Sequence, residues 1–170
     1  MDFQVLQVKI EAAARAAFEQ VRNKYAGQSF CGYALYSDSD AITVCPAVNS
    51  TDHLNKMIAG DPDDAIYYRW SPGEWDHEFE GTEFFENISN QLYNEVMSMQ
   101  SAERHREYKE KVYECCVAAL ESLKKEGFFS DMSESGVVVF TVSDDTNACD
   151  WIARLNRNEL AQEFQNWIGG

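Results

Sequence analysis

Positive charge is what this chain has least of. Its 14 Lys and Arg stand against 29 Asp and Glu, a formal net charge of −15. DNA, RNA and anionic membrane surfaces are held by clusters of Lys and Arg, so the composition argues against nucleic-acid and membrane partners and for a basic one. Also missing is any apolar run near the roughly 18 residues needed to span a bilayer. Met1-Asp2-Phe3-Gln4 lacks the basic and apolar regions of a secretory leader, and a cytoplasmic location is expected. Cys31, Cys45, Cys115, Cys116 and Cys149 are odd in number, contain no CxxC pair and have no His at zinc-ligand spacing. That pattern suggests reduced, mostly buried thiols, with no disulfide framework and no zinc site. There is no Gly-rich phosphate loop with its Lys, no G-x-S-x-G elbow and no protease signature around a Cys. No catalytic residue, cofactor or metal is therefore assigned.

The hydrophobic fraction of 45% and aromatic fraction of 13% over 170 residues are those of a packed domain rather than a disordered acidic chain. With no internal repeat and no long linker, residues 1–170 read as a single domain.

The negative charge is concentrated. Nine acids (Asp61, Asp63, Asp64, Glu74, Asp76, Glu78, Glu80, Glu83 and Glu86) crowd residues 61–86 around one base, Arg69, with aromatics threaded among them. Packing so many carboxylates together costs self-repulsion unless water or a basic partner compensates it. Rigid aromatic rings beside steering carboxylates are also what a protein-binding surface contains. Asp61, Asp63, Asp64, Glu74, Asp76, Glu78, Glu80 and Glu83 are the candidate partner-binding residues; core packing is the competing reading for Tyr67, Tyr68, Trp70 and Trp75.

Hydrophobic periodicity supplies the frame. Phe3, Leu6, Ile10, Ala13, Ala17 and Val21 predict a helix ending before Gly27. A hairpin is expected from SFCGYALY and AITVC around Ser37-Asp38-Ser39-Asp40, its second strand stopped by Pro46. Asn49-Ser50-Thr51 then caps a short helix with Leu54, Met57 and Ile58 inward. Residues 65–70, AIYYRW, read as a strand, and Ser71-Pro72-Gly73-Glu74 as a capped helical turn after it. Two helices follow, on Phe85, Ile88, Leu92, Val96, Met99 and on Tyr108, Val112, Cys116, Ala119, Leu123. Residues 136–142, GVVVFTV, suggest a central strand covered on both faces. Asp144-Asp145-Thr146 is expected to cap a helix carrying Trp151, Ile152 and Leu155, and Asn156 with Glu159 to form a capping box before Leu160, Phe164 and Trp167. The sum is an α+β fold, a small mostly antiparallel sheet covered by helices.

Three constellations invite chemistry and fail on spacing. Asp76-His77-Glu78 are consecutive, so in an extended chain both acids face away from the His, and alternation with Trp75 and Phe79 better fits a strand. Asp61-Pro62-Asp63-Asp64 lacks the Gly and Glu of a calcium loop, having Ile66 and Pro72 there. Asp144-Asp145 is more simply a helix cap than a magnesium site. His53 and His105 are isolated surface polar residues.

Two stretches, FCGYALYSDSDAITVCPAVNSTDHL at 30–54 and YYRWSPGEWDHEF at 68–79, carry a resemblance to the bacterial family called domain of unknown function 4303. The shared features are Tyr33 to Tyr36, the turn Asp38 to Asp40, the helix start Asn49-Ser50 and Trp70 to Trp75. The resemblance implies no reaction and no catalytic residues. It implies a context beside polymorphic toxin genes, hence an immunity protein that neutralises a cognate basic toxin domain. The rival expectations are a hydrolase reversing a toxin-made modification, through Asp76, His77 and Glu78 or Asp144 and Asp145, and a general acidic protein-binding domain.

Overall fold

A computed structural model describes residues 1–142 and 148–169. Helix α1 (Phe3–Lys24) opens on Asp2, whose carboxylate accepts the N–H groups of Gln4 and Val5 at 3.0 and 3.2 Å. Its stripe Leu6, Ile10, Ala13, Ala17 and Val21 is buried. The chain continues through β1 (Phe30–Ser37), β2 (Val44–Ser50), α2 (Thr51–Gly60), α3 (Ala65–Trp70) and β3 (His77–Glu78). It ends with α4 (Glu86–Met97), α5 (Ala102–Lys125), β4 (Val137–Val142), α6 (Ala148–Leu155) and α7 (Asn158–Gly169). The α+β expectation holds.

The sheet has the order β3-β2-β1-β4, with β1–β2 and β2–β3 antiparallel and β1–β4 parallel. It is thus mixed, with two of its three pairings antiparallel. Tyr33, Leu35, Val44, Val48, Val138 and Phe140 point into a core shared with α1, α4 and α5. Ala34, Ala47, Val137 and Val139 point the other way, into a smaller core with Trp70, Trp75, Ile152 and Phe164. The second face can take two indoles because its strands are built of small residues there. A Cβ on Gly32 would stand 2.9 Å from Cη2 of Trp75.

A hairpin forms, but its second strand is Val44–Ser50 rather than the expected 41–45, because Asp38 folds residues 38–43 into the turn. The Asp38 carboxylate accepts from the backbone of Asp40, Ile42 and Thr43 and from the Thr43 hydroxyl. Pro46 does not stop β2, which runs on to Ser50 opposite Leu35 and its neighbours. A strand residue aims its N–H and C=O to the same side, and the Pro46 carbonyl accepts Phe79 N–H at 3.2 Å on the β3 side. The donor that Pro lacks would also have faced that side, where β3 is only two residues long.

Four further expectations are corrected. Residues 65–70 form a helix: after the 3₁₀ turn Pro62–Asp64, six helical residues bury Trp70 against Phe164, ring centroids 5.1 Å apart. Tertiary packing overrides the strand preference of the aromatics. Ser71 precedes a 3₁₀ turn, Pro72–Glu74, but its hydroxyl caps nothing. β4 is covered on both faces yet lies at the edge of the sheet. Asn156 does not cap α7; it closes the C-terminus of α6, its N–H donating to Ile152 O at 3.0 Å. It is buried, and its amide accepts Val138 N–H at 2.9 Å and donates to Val138 O at 2.7 Å and Ile152 O at 3.1 Å. The expected cap at Asp144-Asp145-Thr146 lies outside the described residues.

Candidate protein-interaction surface

The acidic stretch does not lie on one face. From Asp61 to Glu74 it runs beside α3, on the smaller-core side of the sheet. It then passes around the outer edge at β3 and continues along α1 as the 3₁₀ turn Thr82–Phe85. Gly81 allows the crossing: its φ is +85°, and a Cβ there would meet the Cβ of Ala17 at 2.6 Å. The eight candidate carboxylates therefore form two groups.

The first group is open. Asp61, Asp63 and Asp64 are exposed, and among the described residues no side-chain hydrogen bond or ion pair reaches them. Beside them Tyr67 is 38% exposed, its ring 5.6 Å from that of Tyr68 and 6.4 Å from that of Trp167, which is 37% exposed on α7. The Tyr67 hydroxyl donates to Glu74 at 2.9 Å, and this bond raises the phenol pKa. Desolvation, then the charges of Asp61, Asp64 and Glu74, raise that of Tyr68. Both phenols therefore stay protonated donors at neutral pH. Arg69, the one base of the stretch, is turned away: it holds both oxygens of Glu163 at 2.8 Å, while Trp70 Nε1 donates to the same carboxylate at 3.1 Å. Asp61, Asp63 and Asp64 keep their charge unshared, while Glu74 accepts the Tyr67 hydroxyl.

The second group is bound into the fold. Asp76 accepts from Ser50 N–H and Oγ, and Ser50 Oγ in turn accepts His53 N–H to cap α2. Glu78 accepts the Tyr36 hydroxyl at 3.1 Å. Glu80 accepts from Lys24 Nζ at 2.7 and 2.9 Å and from the Tyr25 hydroxyl at 2.9 Å, and the Lys24 bond holds its carboxyl below the usual range. Glu83 accepts from Gln20 Nε2 at 2.7 Å. Between these acids Phe79 is 53% exposed at a φ of 64°, its ring 5.8 Å from that of Tyr36. Phe79 thus leaves the apolar side of the strand that alternation with Trp75 predicts.

His77 is 6% exposed, stacked on Tyr25 with ring centroids 4.1 Å apart, and its Nε2 lies 2.9 Å from Gln28 Oε1. That geometry fixes the edge of the sheet to the end of α1. His53 and His105 each meet a backbone carbonyl, of Glu74 and Asp40. Among the described residues no three His, Cys, Asp or Glu are arranged to hold a metal ion, and no helix is long and apolar enough to cross a membrane. The five thiols are free, with Cys31, Cys115 and Cys116 buried and Cys45 and Cys149 half-buried.

Sequence reasoning missed Trp167. One hundred residues separate it from Tyr67, and its spacing with Leu160 and Phe164 gives only a core stripe; nothing in the pattern shows that the stripe ends at the surface.

Fold and surface together define a single α+β domain whose open carboxylates lie beside exposed aromatic rings. The chain belongs to the family described as Domain of unknown function (DUF4303), whose model matches residues 10–157. The match includes the whole sheet and the acidic stretch and stops before α7, which carries Trp167. Neither the curated proteins nor the solved structures contain a match to this chain.

Proposed function

We propose that this protein is an immunity protein that binds a cognate bacterial toxin domain and blocks it stoichiometrically. The observation that carries the reading is the open group: Asp61, Asp63 and Asp64, without partners among the described residues, stand beside the exposed pair Tyr67 and Trp167. A toxin that acts on nucleic acid or nucleotides exposes a basic cleft. Unpaired carboxylates would steer such a cleft into place, and the aromatic pair would supply the contact excluded from water. Catalysis by the immunity protein is not needed for this. Of the eight candidates, Asp61, Asp63, Asp64 and Glu74 then form the contact, while Asp76, Glu78, Glu80 and Glu83 act through the fold.

The test is the triple variant Asp61→Lys, Asp63→Lys, Asp64→Lys, co-expressed with the product of the adjacent open reading frame as the toxin to be tried. Association with the purified toxin should slow by about tenfold or more at low salt, with protection of the host reduced. Undiminished association and protection by the folded variant would overturn the surface assignment. Protection by far less than one equivalent would overturn stoichiometric blocking.

A further inference from the structure

Near the end of α5 and the junction of α6 with α7, two cations lack, among the described residues, the carboxylate partner that three nearby arginines have. Arg15 pairs with Glu126, Arg22 with Asp131, and Arg154 with Glu114 and Glu121. Lys124 and Arg157 have no such partner among the described residues. Lys124 Nζ reaches the carbonyl oxygens of Arg154 and Asn156, at the long distances of 3.3 and 3.4 Å, and Arg157 donates to the carbonyl of Glu134. An ammonium carries three donors and a guanidinium five, so both keep capacity in hand.

Both side chains line one cavity of about 250 Å³, between the loop 127–136 and the junction of α6 with α7. Its remaining wall is largely apolar, from Phe129, Met132, Leu155 and Leu160. Lys124 and Arg157 are exposed residues, so both charges are open to solvent; partial desolvation lowers the pKa of Lys124, and the charge of Glu121 opposes that shift without contacting it. Two exposed cations that line one apolar hollow, in a chain of net charge −15, are placed to take an anionic head on an apolar body.

We infer that this cavity binds a small monocarboxylate with a short apolar chain, the carboxylate on Lys124 and Arg157 and the chain against Phe129, Met132, Leu155 and Leu160. Glu134 lines the same cavity and opposes a second negative charge, which selects a monoanion over a dianion. The volume is that of about eight waters at ~30 Å³ each, room for a chain of about six carbons. The site lies apart from the interaction surface, and its occupancy does not depend on the proposed toxin. The alternative is purely structural: Lys124 sits at the negative end of α6 and Arg157 ties down the loop.

Amide chemical shifts of the full-length protein, followed during titration with hexanoate, test the assignment. Hexanoate should give saturable shifts centred on Gly136, Val138 and Asn156. Hexan-1-ol, which has the chain without the charge, should bind about tenfold more weakly, as should acetate, which has the charge without the chain. Lys124→Met and Arg157→Gln should each erase the preference for hexanoate over hexan-1-ol; two variants are used so that a folding defect in one leaves the other. Equal response to hexanoate and hexan-1-ol, shifts scattered over the surface, or no saturation by about 10 mM would overturn the site. A loss of thermal stability in both variants with the ligand preference intact would assign the two cations to structure alone.

Discussion

Asp76 holds Ser50 from two directions, one carboxylate oxygen accepting its N–H at 2.9 Å and the other its hydroxyl at 2.6 Å. Ser50 is 2% exposed, so removing the acceptor strands two polar groups away from water. Asp76→Ala should cost about 1–3 kcal/mol per stranded group, up to relaxation of the site, measured as a lowered urea midpoint. The exposed Asp63→Ala should leave the midpoint nearly unchanged. Equal midpoints for the two variants would contradict the division of the acids into an open and a bound group.

The aromatic pair predicts a different kinetic signature from the acids. Tyr67→Ala and Trp167→Ala should each weaken toxin binding by about 2 kcal/mol, mainly through faster dissociation. Because the rings lie 6.4 Å apart, the double variant should fall short of the sum of the singles. Surface plasmon resonance of the four proteins at two salt concentrations checks this: salt should change the association rate of all four and leave their order of dissociation rates intact.

Stability should fall in acid. Glu80 is held below its ordinary value near 4.5 by the Lys24 bond. Asp38 ends below its ordinary value near 3.8, since its bonds to Thr43, Ile42 and Asp40 outweigh the opposing effect of burial. A carboxyl whose folded pKa is depressed contributes fully above its unfolded pKa and loses that contribution as pH falls through the folded value. The thermal midpoint should therefore decline from about pH 4.5 downward, and Asp38→Asn should flatten the decline at its lower end. Calorimetry between pH 7 and pH 3 measures both.

Thiol labelling reads the packing directly. Cys116 is fully buried, its thiol pushed well up by desolvation, and Cys31 and Cys115 are pushed up to about 11 by burial first. Native protein should react with a disulfide reagent at Cys45 and Cys149 first, and with the other three only after urea unfolding. Rapid reaction of all five in native buffer would contradict the core described for α5.

The long helices and the hairpin were legible because their signals are local. The stripe of α1, the stripe of α5 and the Asp38 turn each rest on spacing within one element. Residues 65–70 were misread because the Tyr and Trp content favours a strand, while the contact that decides, Trp70 on Phe164, comes from a helix nearly a hundred residues later. Asn156 was misread for the same reason: its partner, Val138, is reached only through the fold. The acidic stretch was visible as charge, but the route around β3 that splits it was not. That route depends on a left-handed Gly81 seated on Ala17, a contact no local pattern encodes.

Side chains occupy part of each margin of the sheet. Along β2 the outward donors are taken one after another: Val44 N–H goes to the Ser89 hydroxyl, Pro46 has none, Val48 faces β3, and Ser50 N–H goes to Asp76. Along β4 the Asn156 amide stands in for the backbone of a neighbouring strand, with α6 packed alongside. A strand added from another chain would have to displace Ser89 or Asp76 on one side, or Asn156 on the other, which opposes pairing at those positions. At those positions a docking partner meets side chains before it meets backbone.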